Sequence, residues 1–298
     1  MSEIKVSVII PTYNRPEKLG RLLNSLIHQV VRNQLEKQIE IIVIDDCSAS
    51  SAQQEVNDFL SHRDVSFIAY HVLAANKGPA FARNLGIAKS RGEVIAFSDD
   101  DHVVAGNYLT ALIIEHDQHP DVFVINGNLM RLRNDFYSKI WDSRYRAFFV
   151  KDGGSNFYEI NGVSSGHLSI KRLLLERISP LFDGVLLSQE DFDLYIRLKE
   201  KGIKVFKSDC FLAYHDYRKS FWQMVRQKAW YINGWNQLIQ KYGIQRIRAE
   251  VEARKPFTPF EEPLWFRVIM RLVVYSVLAF GIVFKPQTLF RFSKNDGK

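Results

Sequence analysis

The chain has 298 residues, 46% of them hydrophobic and 24% charged, which excludes wholesale disorder and allows a sizeable core. Its 40 Lys and Arg against 33 Asp and Glu leave a net charge of +7 and a pI near 9.3, a surplus that suits nucleic acid, a membrane surface or small anions. Two cysteines, Cys47 and Cys210, exclude a disulfide framework and point to a reducing compartment, and the start MSEIKVSVII lacks the pattern of a signal peptide.

In chain order, Val6–Ile10 is an apolar run closed by Pro11 and predicts a buried parallel strand. Leu19, Leu22, Leu23, Leu26 and Ile27 then follow helical spacing, with Pro16 in the first turn, where its missing N–H costs nothing. Ile41–Ile44 predicts a strand ending in Asp45-Asp46, Ala52–Leu60 a helix, and Val65–Val72 a strand. Pro79–Lys89 predicts a short helix, and Val94–Phe97 a strand running into Ser98-Asp99-Asp100-Asp101. The alternation predicts an α/β fold with a Rossmann-like, mostly parallel sheet flanked by helices.

The middle is less regular. Tyr108–Glu115 predicts a helix and Val122–Ile125 a strand; Lys139–Phe149 is rich in aromatics, and 152–156 reads as a loop. Asn161–Gly166 is small and polar, and Leu168–Ile178 is amphipathic. Gln189-Glu190-Asp191 opens a helix stopped by Gly202, and Val205–Phe206 and Phe211–Tyr214 predict two strands, His215 ending the second.

In open parallel sheets, ligands bind beyond the carboxyl ends of the strands. Three polar clusters fall at that edge: Pro11-Thr12-Tyr13-Asn14, Asp45-Asp46 and Asp99-Asp100-Asp101. Any one alone reads as a cap or turn. In an extended segment side chains alternate, so Asp99 and Asp101 share a side and Asp100 turns away. Such oxygen ligands suit Mg²⁺ or Mn²⁺, with a diphosphate supplying further oxygens. Asn76 to Asn84 is a glycine turn entering a helix, with Arg83 one turn inside facing base or phosphate, or simply solvent.

Together these motifs resemble family 2 glycosyltransferases of GT-A fold, over about residues 4–216. The residues that carry the resemblance are Val6–Arg15, Val43–Ser48, Asn76-Lys77-Gly78 with Ala82-Arg83-Asn84, Ser98–Asp101 and Gln189-Glu190-Asp191. The resemblance implies an inverting transfer of one sugar from a nucleotide-diphospho-sugar, a UDP-sugar favoured, with Mn²⁺ or Mg²⁺. It implies that Pro11, Tyr13, Arg15, Asp45, Asp46, Lys77, Gly78, Arg83, Asp99 and Asp100 bind the nucleotide-sugar, with Asp46 on the base. It implies a metal held by Asp99 and Asp101, the latter more directly, with His215 near metal or diphosphate, and Asp191 as catalytic base beside Glu190. Processive members carry Gln-x-x-Arg-Trp after the base; Gln223-Met224-Val225-Arg226-Gln227 lacks the Trp, which favours a single addition.

Competing readings are a nucleotidyltransferase, disfavoured by a first loop without glycine, and a phosphoacceptor signalling domain, disfavoured by the chain's length. A nucleic-acid binder is also disfavoured, because Trp222, Trp230, Tyr231 and Trp235 fit an amphipathic helix better than a stacking platform. Residues 1–218 read as the catalytic domain and 219–298 as a basic, helical C-terminal extension. Its segment Leu264–Phe284, broken by Arg267 and Arg271, reads as a buried, interfacial or spanning helix. The expected place is therefore the cytoplasm at the inner face of the membrane, with a glycan or lipid-linked acceptor in cell-surface polysaccharide or glycolipid synthesis, and no nucleic acid.

Overall fold

Strand β1 (Val6–Thr12) is buried at every position, as a strand covered on both faces must be. Pro11 lies inside it rather than closing it. The Ile9 carbonyl accepts from Ser98 N–H and the Thr12 carbonyl from Asp46 N–H, so alternation turns Pro11 to the β4 (Val94–Phe97) side. Pairing with β4 has already ended there, at Ile9 opposite Phe97, so the missing donor breaks no rung. The computed structural model describes residues 4–151, 155–254, 256 and 263–284, with side chains through 276 in the last stretch. Residues 152–154 of the expected loop 152–156, together with 255 and 257–262, lie outside the described residues.

Helix α1 (Pro16–Arg32) buries Leu19, Leu22, Leu23 and Leu26. Next come β2 (Ile39–Asp45), α2 (Ser50–Ser61), β3 (Ile68–Val72) and α3 (Pro79–Lys89), which leads to β4. Then follow β5 (His102–Val104), α4 (Tyr108–Gln118), β6 (Val124–Arg131), α5 (Phe136–Phe149), β7 (Phe157–Ile160) and β8 (Leu168–Lys171). The chain continues through α6 (Glu190–Glu200), β9 (Val205–His215), α7 (Phe221–Tyr242), α8 (Ile244–Ala253) and α9 (Leu264–Phe284).

The sheet runs β3-β2-β1-β4-β8-β6-β9-β5, with β7 also on β9. Pairing is parallel from β3 to β4, the expected half. Beyond it the sheet is mixed: β8 is antiparallel to β4 and β6, while β9 runs parallel to β6. The two strands expected before His215 are one, β9, whose register against β6 jumps between Asn126 and Asn128 to absorb extra residues. Strands β5 and β7 span three and four residues, too few to show a period in sequence.

Alternation divides the sheet's apolar residues between two cores. Val8 and Ile10 face α1 and α4, whereas Ile9, Ile95 and Phe97 face Phe182, Leu194 and Leu198. A separate cluster joins Ile140 of α5, Met224 and Val225 of α7, and Phe266, Met270 and Val274 of α9. The topology brings the carboxyl ends of β1, β2, β4 and β9 to one edge.

Candidate active site

The Asp99 carbonyl accepts from His102 N–H at 3.2 Å, closing a tight turn after β4. A turn does not alternate, so the expected pairing of Asp99 with Asp101 gives way to a different one. Asp100 is not turned away: Thr12 Oγ1 donates to it at 2.9 Å and Arg15 Nη1 at 3.0 Å. Asp101 shares that Arg15 at 3.2 Å, and its Oδ1 lies 3.2 Å from His215 Nε2 at the end of β9. Asp99 points elsewhere, to Arg83 Nη2 at 2.7 Å, with 36% of its side chain exposed.

Positive charge converges on Asp101. Besides Arg15, Lys18 and Arg218 stand 3.8 and 3.5 Å from it. Burial alone would raise the Asp101 carboxyl, but His215, Arg15 and Arg218 overrule it and hold it well below the usual carboxylate range. Lys18 is pushed down to about 8 by burial and by its neighbours Arg15 and Arg218, against the pull of Asp101. One residue on, Asp216 is almost fully buried, ion-paired to Lys18, Arg21 and Arg133, and its N–H donates to the Asp101 carbonyl. Two loops and helix α1 thus build one cation-lined pocket around Asp100, Asp101 and Asp216.

His102 belongs to it as well, although nothing in its sequence position singled it out. Its ring lies edge-on to His215, centroids 4.8 Å apart, and burial and His215 push it down to about 4, so it is neutral at pH 7. Its Nε2 is buried and has no hydrogen-bond partner among the described residues. Single donor atoms of Asp101, His102 and His215 lie within 4.8 Å of one another. Neighbouring ligands of an octahedral ion bound at about 2.1 Å stand about 3 Å apart, which matches the Asp101–His215 separation. Of this donor set the carboxylate suits a hard ion such as Mn²⁺ and the imidazole nitrogens the softer first-row ions. These residues therefore fit a divalent cation. Asp99, expected as a ligand, stands outside the group and is tied to Arg83.

On the other flank, Arg83 is 3% exposed rather than solvated and also donates to Glu190 Oε1 at 2.9 Å. Ser165 Oγ donates to the same oxygen at 2.8 Å. Gly166 packs so tightly that a Cβ there would sit 2.2 Å from Asp99 Oδ2. The small-residue run before β8 is thus the seat of the two acidic segments, a role its composition alone did not disclose. Gln189, with φ of +64°, lifts the chain into α6 through a left-handed step that non-glycine residues rarely take.

Glu190 is committed to Arg83 and Ser165, whereas Asp191 accepts from Phe192 N–H at 2.7 Å and has no ion pair within salt-bridge distance among the described residues. It is half-buried, and burial and Glu190 push its carboxyl up to about 7 against the opposing charges of Arg254 and Arg83. Arg254 follows α8, with its guanidinium 5.2–5.6 Å from the ring centres of Phe148, Phe192 and Tyr195 and against Gly162. Tyr231 of α7 also feels the Asp191 charge. Arg218, Tyr231 and Arg254, which in sequence are part of a basic tail, therefore reach the site.

Beyond the ends of β1 and β2, Asp46, expected on the base, accepts from Lys77 N–H at 2.6 Å and Gly78 N–H at 2.8 Å. It builds the turn in which Gly78 takes φ of +86°. Asp45 accepts from Ser48 N–H and from the Tyr70 hydroxyl. Asn14 donates to Ser48 and accepts from Ala49 N–H, tying the first loop to the second. Pro11 is buried and Tyr13 half-buried beside these loops.

Over residues 7–178, more than half its length, the chain matches glycosyl transferase family 2, and over 94–293 it matches glycosyl transferase family group 2. The chain belongs to glycosyltransferase family 2. It is 28% identical over 233 residues to a pre-mycofactocin glycosyltransferase of Mycobacterium tuberculosis, covering 76% of this chain and 46% of that one. It is 34% identical over 126 residues to the poly(ribitol-phosphate) beta-N-acetylglucosaminyltransferase TarS of Staphylococcus aureus, covering 41% and 21%. This family 2 chain thus spans less than half the length of these curated relatives. Among solved structures, residues 1–349 of S. aureus TarS superpose with a TM-score of 0.55 at 24% identity, covering 76% and 64% of the two chains. The mannosyltransferase PcManGT of Pyrobaculum calidifontis, in complex with GDP-Man and Mn²⁺, gives 0.58 at 18%, covering 79% and 64%. At these identities the likeness is one of fold, and that fold is GT-A.

Proposed function

We propose that this family 2 chain transfers a single sugar, with inversion, from a nucleotide-diphospho-sugar to an acceptor hydroxyl. The observation that carries the reading is Asp191, a half-buried carboxyl pushed up to about 7 at the same sheet edge as the cation-rich pocket around Asp101. A sugar hydroxyl is a poor nucleophile at neutral pH. A carboxylate poised near 7 takes its proton as the new bond forms, an effect typically worth about 10²–10⁴-fold. On the leaving side, Arg15, Lys18 and Arg218 meet the charge that builds on the diphosphate. A divalent cation held by Asp101, His215 and His102 would supply further charge neutralisation there. Arg83 fixes Asp99 and Glu190, which sets the distance between donor and base sides.

Support for a nucleotide-sugar comes from structures of similar fold that hold UDP-GlcNAc or GDP-Man. A UDP-sugar remains the favoured donor and Mn²⁺ or Mg²⁺ the ion. Among the described residues no helix is long and apolar enough to cross a membrane. The acceptor is read as a glycan or lipid-linked glycan at the cytoplasmic membrane face, made for the cell surface. The domain reading is modified accordingly: residues 1–218 hold the donor, while the extension from 219 supplies part of the base's wall.

The test is a panel of UDP-, GDP- and dTDP-sugars with lipid extract as acceptor. Asp191→Asn should bind donor nearly as the wild type does and lose transfer at least about a hundredfold. Retained turnover would remove Asp191 from the base role, and a product with the donor's anomeric configuration would remove inversion.

A further inference from the structure

Helix α9 packs its 266, 270 and 274 positions, one turn apart, onto α7 and α5. A helix lying between protein and water carries polar residues on its other side. Here the other side holds Leu264, Trp265, Val268, Ile269, Leu272 and Tyr275, each 44–71% exposed. The apolar surface continues past the helix. Trp265 stacks parallel to Phe136 of α5 at 6.0 Å, and Trp222 of α7, 63% exposed, packs edge-on to Phe221, which meets Phe266. A soluble surface rarely gathers so much contiguous apolar area.

The charge on the same two helices is of one sign. No Asp or Glu occurs between Asp216 and Glu250, nor between Glu262 and Asp296. Within those intervals α7 contributes Arg226 and Lys228 near α9, and α9 contributes Arg267 and Arg271, with Arg226 and Arg271 exposed; Lys241, at the other end of α7, is paired with Asp183 and Asp193. A second copy of this chain could hide the apolar area, but it would set the basic residues of one α7 and α9 against those of another. An anionic lipid surface meets both properties at once. Tryptophan and tyrosine favour the depth between headgroup and acyl chain, and arginine side chains there reach lipid phosphates.

We infer that the α7–α9 face, with Phe136, seats in the interfacial layer of a membrane containing anionic phospholipid, α9 lying along that layer rather than crossing it. This deepens the proposed membrane-sited acceptor and rests on that reading: it names the surface that brings the catalytic edge to its acceptor.

The test uses the full chain and floats it with vesicles of phosphatidylcholine alone or with added phosphatidylglycerol, at low and high salt. Binding should require phosphatidylglycerol and weaken more than about tenfold at high salt. Trp265→Ser combined with Leu272→Ser should abolish flotation while leaving UDP titration unchanged, and Asp191→Asn should float like the wild type. Equal flotation with neutral vesicles, resistance to salt and alkaline carbonate, or a dimer in light scattering whose interface is lost in the Trp265→Ser and Leu272→Ser variant would each overturn it. Failure to bind any nucleotide-sugar would instead sink the enzyme reading and leave the flotation result standing.

Discussion

Arg83 Nη1 donates to Glu190 Oε1 at 2.9 Å, and the same guanidinium holds Asp99 through Nη2 at 2.7 Å. A side chain only 3% exposed therefore joins the turn after β4 to the start of α6. Removing one partner of a buried pair leaves charge uncompensated, which costs about 3–5 kcal/mol. Arg83→Met should lower the thermal midpoint sharply, and Arg83→Lys, which keeps the charge but not the fork, should fall between. Equal midpoints for all three proteins would show that the bridge does not hold the site together.

Asp191 must be ionised to accept a proton, and burial and Glu190 have pushed its carboxyl up to about 7. Transfer efficiency is therefore low in acid, rises through about pH 7 and levels above it. Below that midpoint, kcat/KM should fall about tenfold per pH unit. A pH–rate profile of the wild type checks the limb, and its disappearance in Asp191→Asn assigns it.

Arg254 opposes that upward push. Arg254→Met should move the acid limb to higher pH, with KM for donor unchanged, and Arg254→Lys should return it part of the way. A limb that stays at the wild-type pH in Arg254→Met would leave Arg254 a packing role only.

His102 presents a buried, unpartnered Nε2 beside Asp101 and His215. His102→Gln should weaken Mn²⁺ binding by at least about tenfold, read from the free-ion electron paramagnetic resonance signal without turnover. Asp101→Asn should weaken it further. Unchanged affinity in His102→Gln would take that residue out of the ligand group.

Gly234 of α7 meets the chain just before the base: a Cβ there would lie 2.4 Å from the Ser188 carbonyl oxygen. Backbone cannot swing aside as a side chain can. Gly234→Ala should cost about 1–3 kcal/mol in denaturant unfolding and lower kcat through displacement of Gln189–Asp191. Full stability with full kcat would show that α7 is not a fixed wall of the site.

The first hundred residues were legible because their physics is local. Apolar strands of four to seven residues and the stripe Leu19, Leu22, Leu23, Leu26 declare themselves by period alone, and α3 and β4 fall on their predicted bounds. The middle was not legible. β5 is too short to show alternation, and β9 hides its continuity behind the irregularity that seemed to part it in two. Asp99, Asp100 and Asp101 were found by type, but which way each points depends on a turn closed by His102 N–H. Nothing in their local sequence marks Arg218 and Arg254 as site residues: the chain leaving β9 carries Arg218 to Asp101, and Arg254, after α8, acts on Asp191.

Asp101 offers one negative charge to Arg15, Lys18, Arg218 and His215. With Asp100 also on Arg15 and Asp216 also on Lys18, the acids and bases of this pocket nearly balance before anything enters it. A cation entering alone would meet those basic groups and a diphosphate alone those carboxylates, so ion and diphosphate would gain from arriving together. By linkage, the nucleotide must tighten the metal by the same factor that the metal tightens the nucleotide. A site of that kind would couple its two ligands, and the free ion concentration would then set how much donor the protein holds.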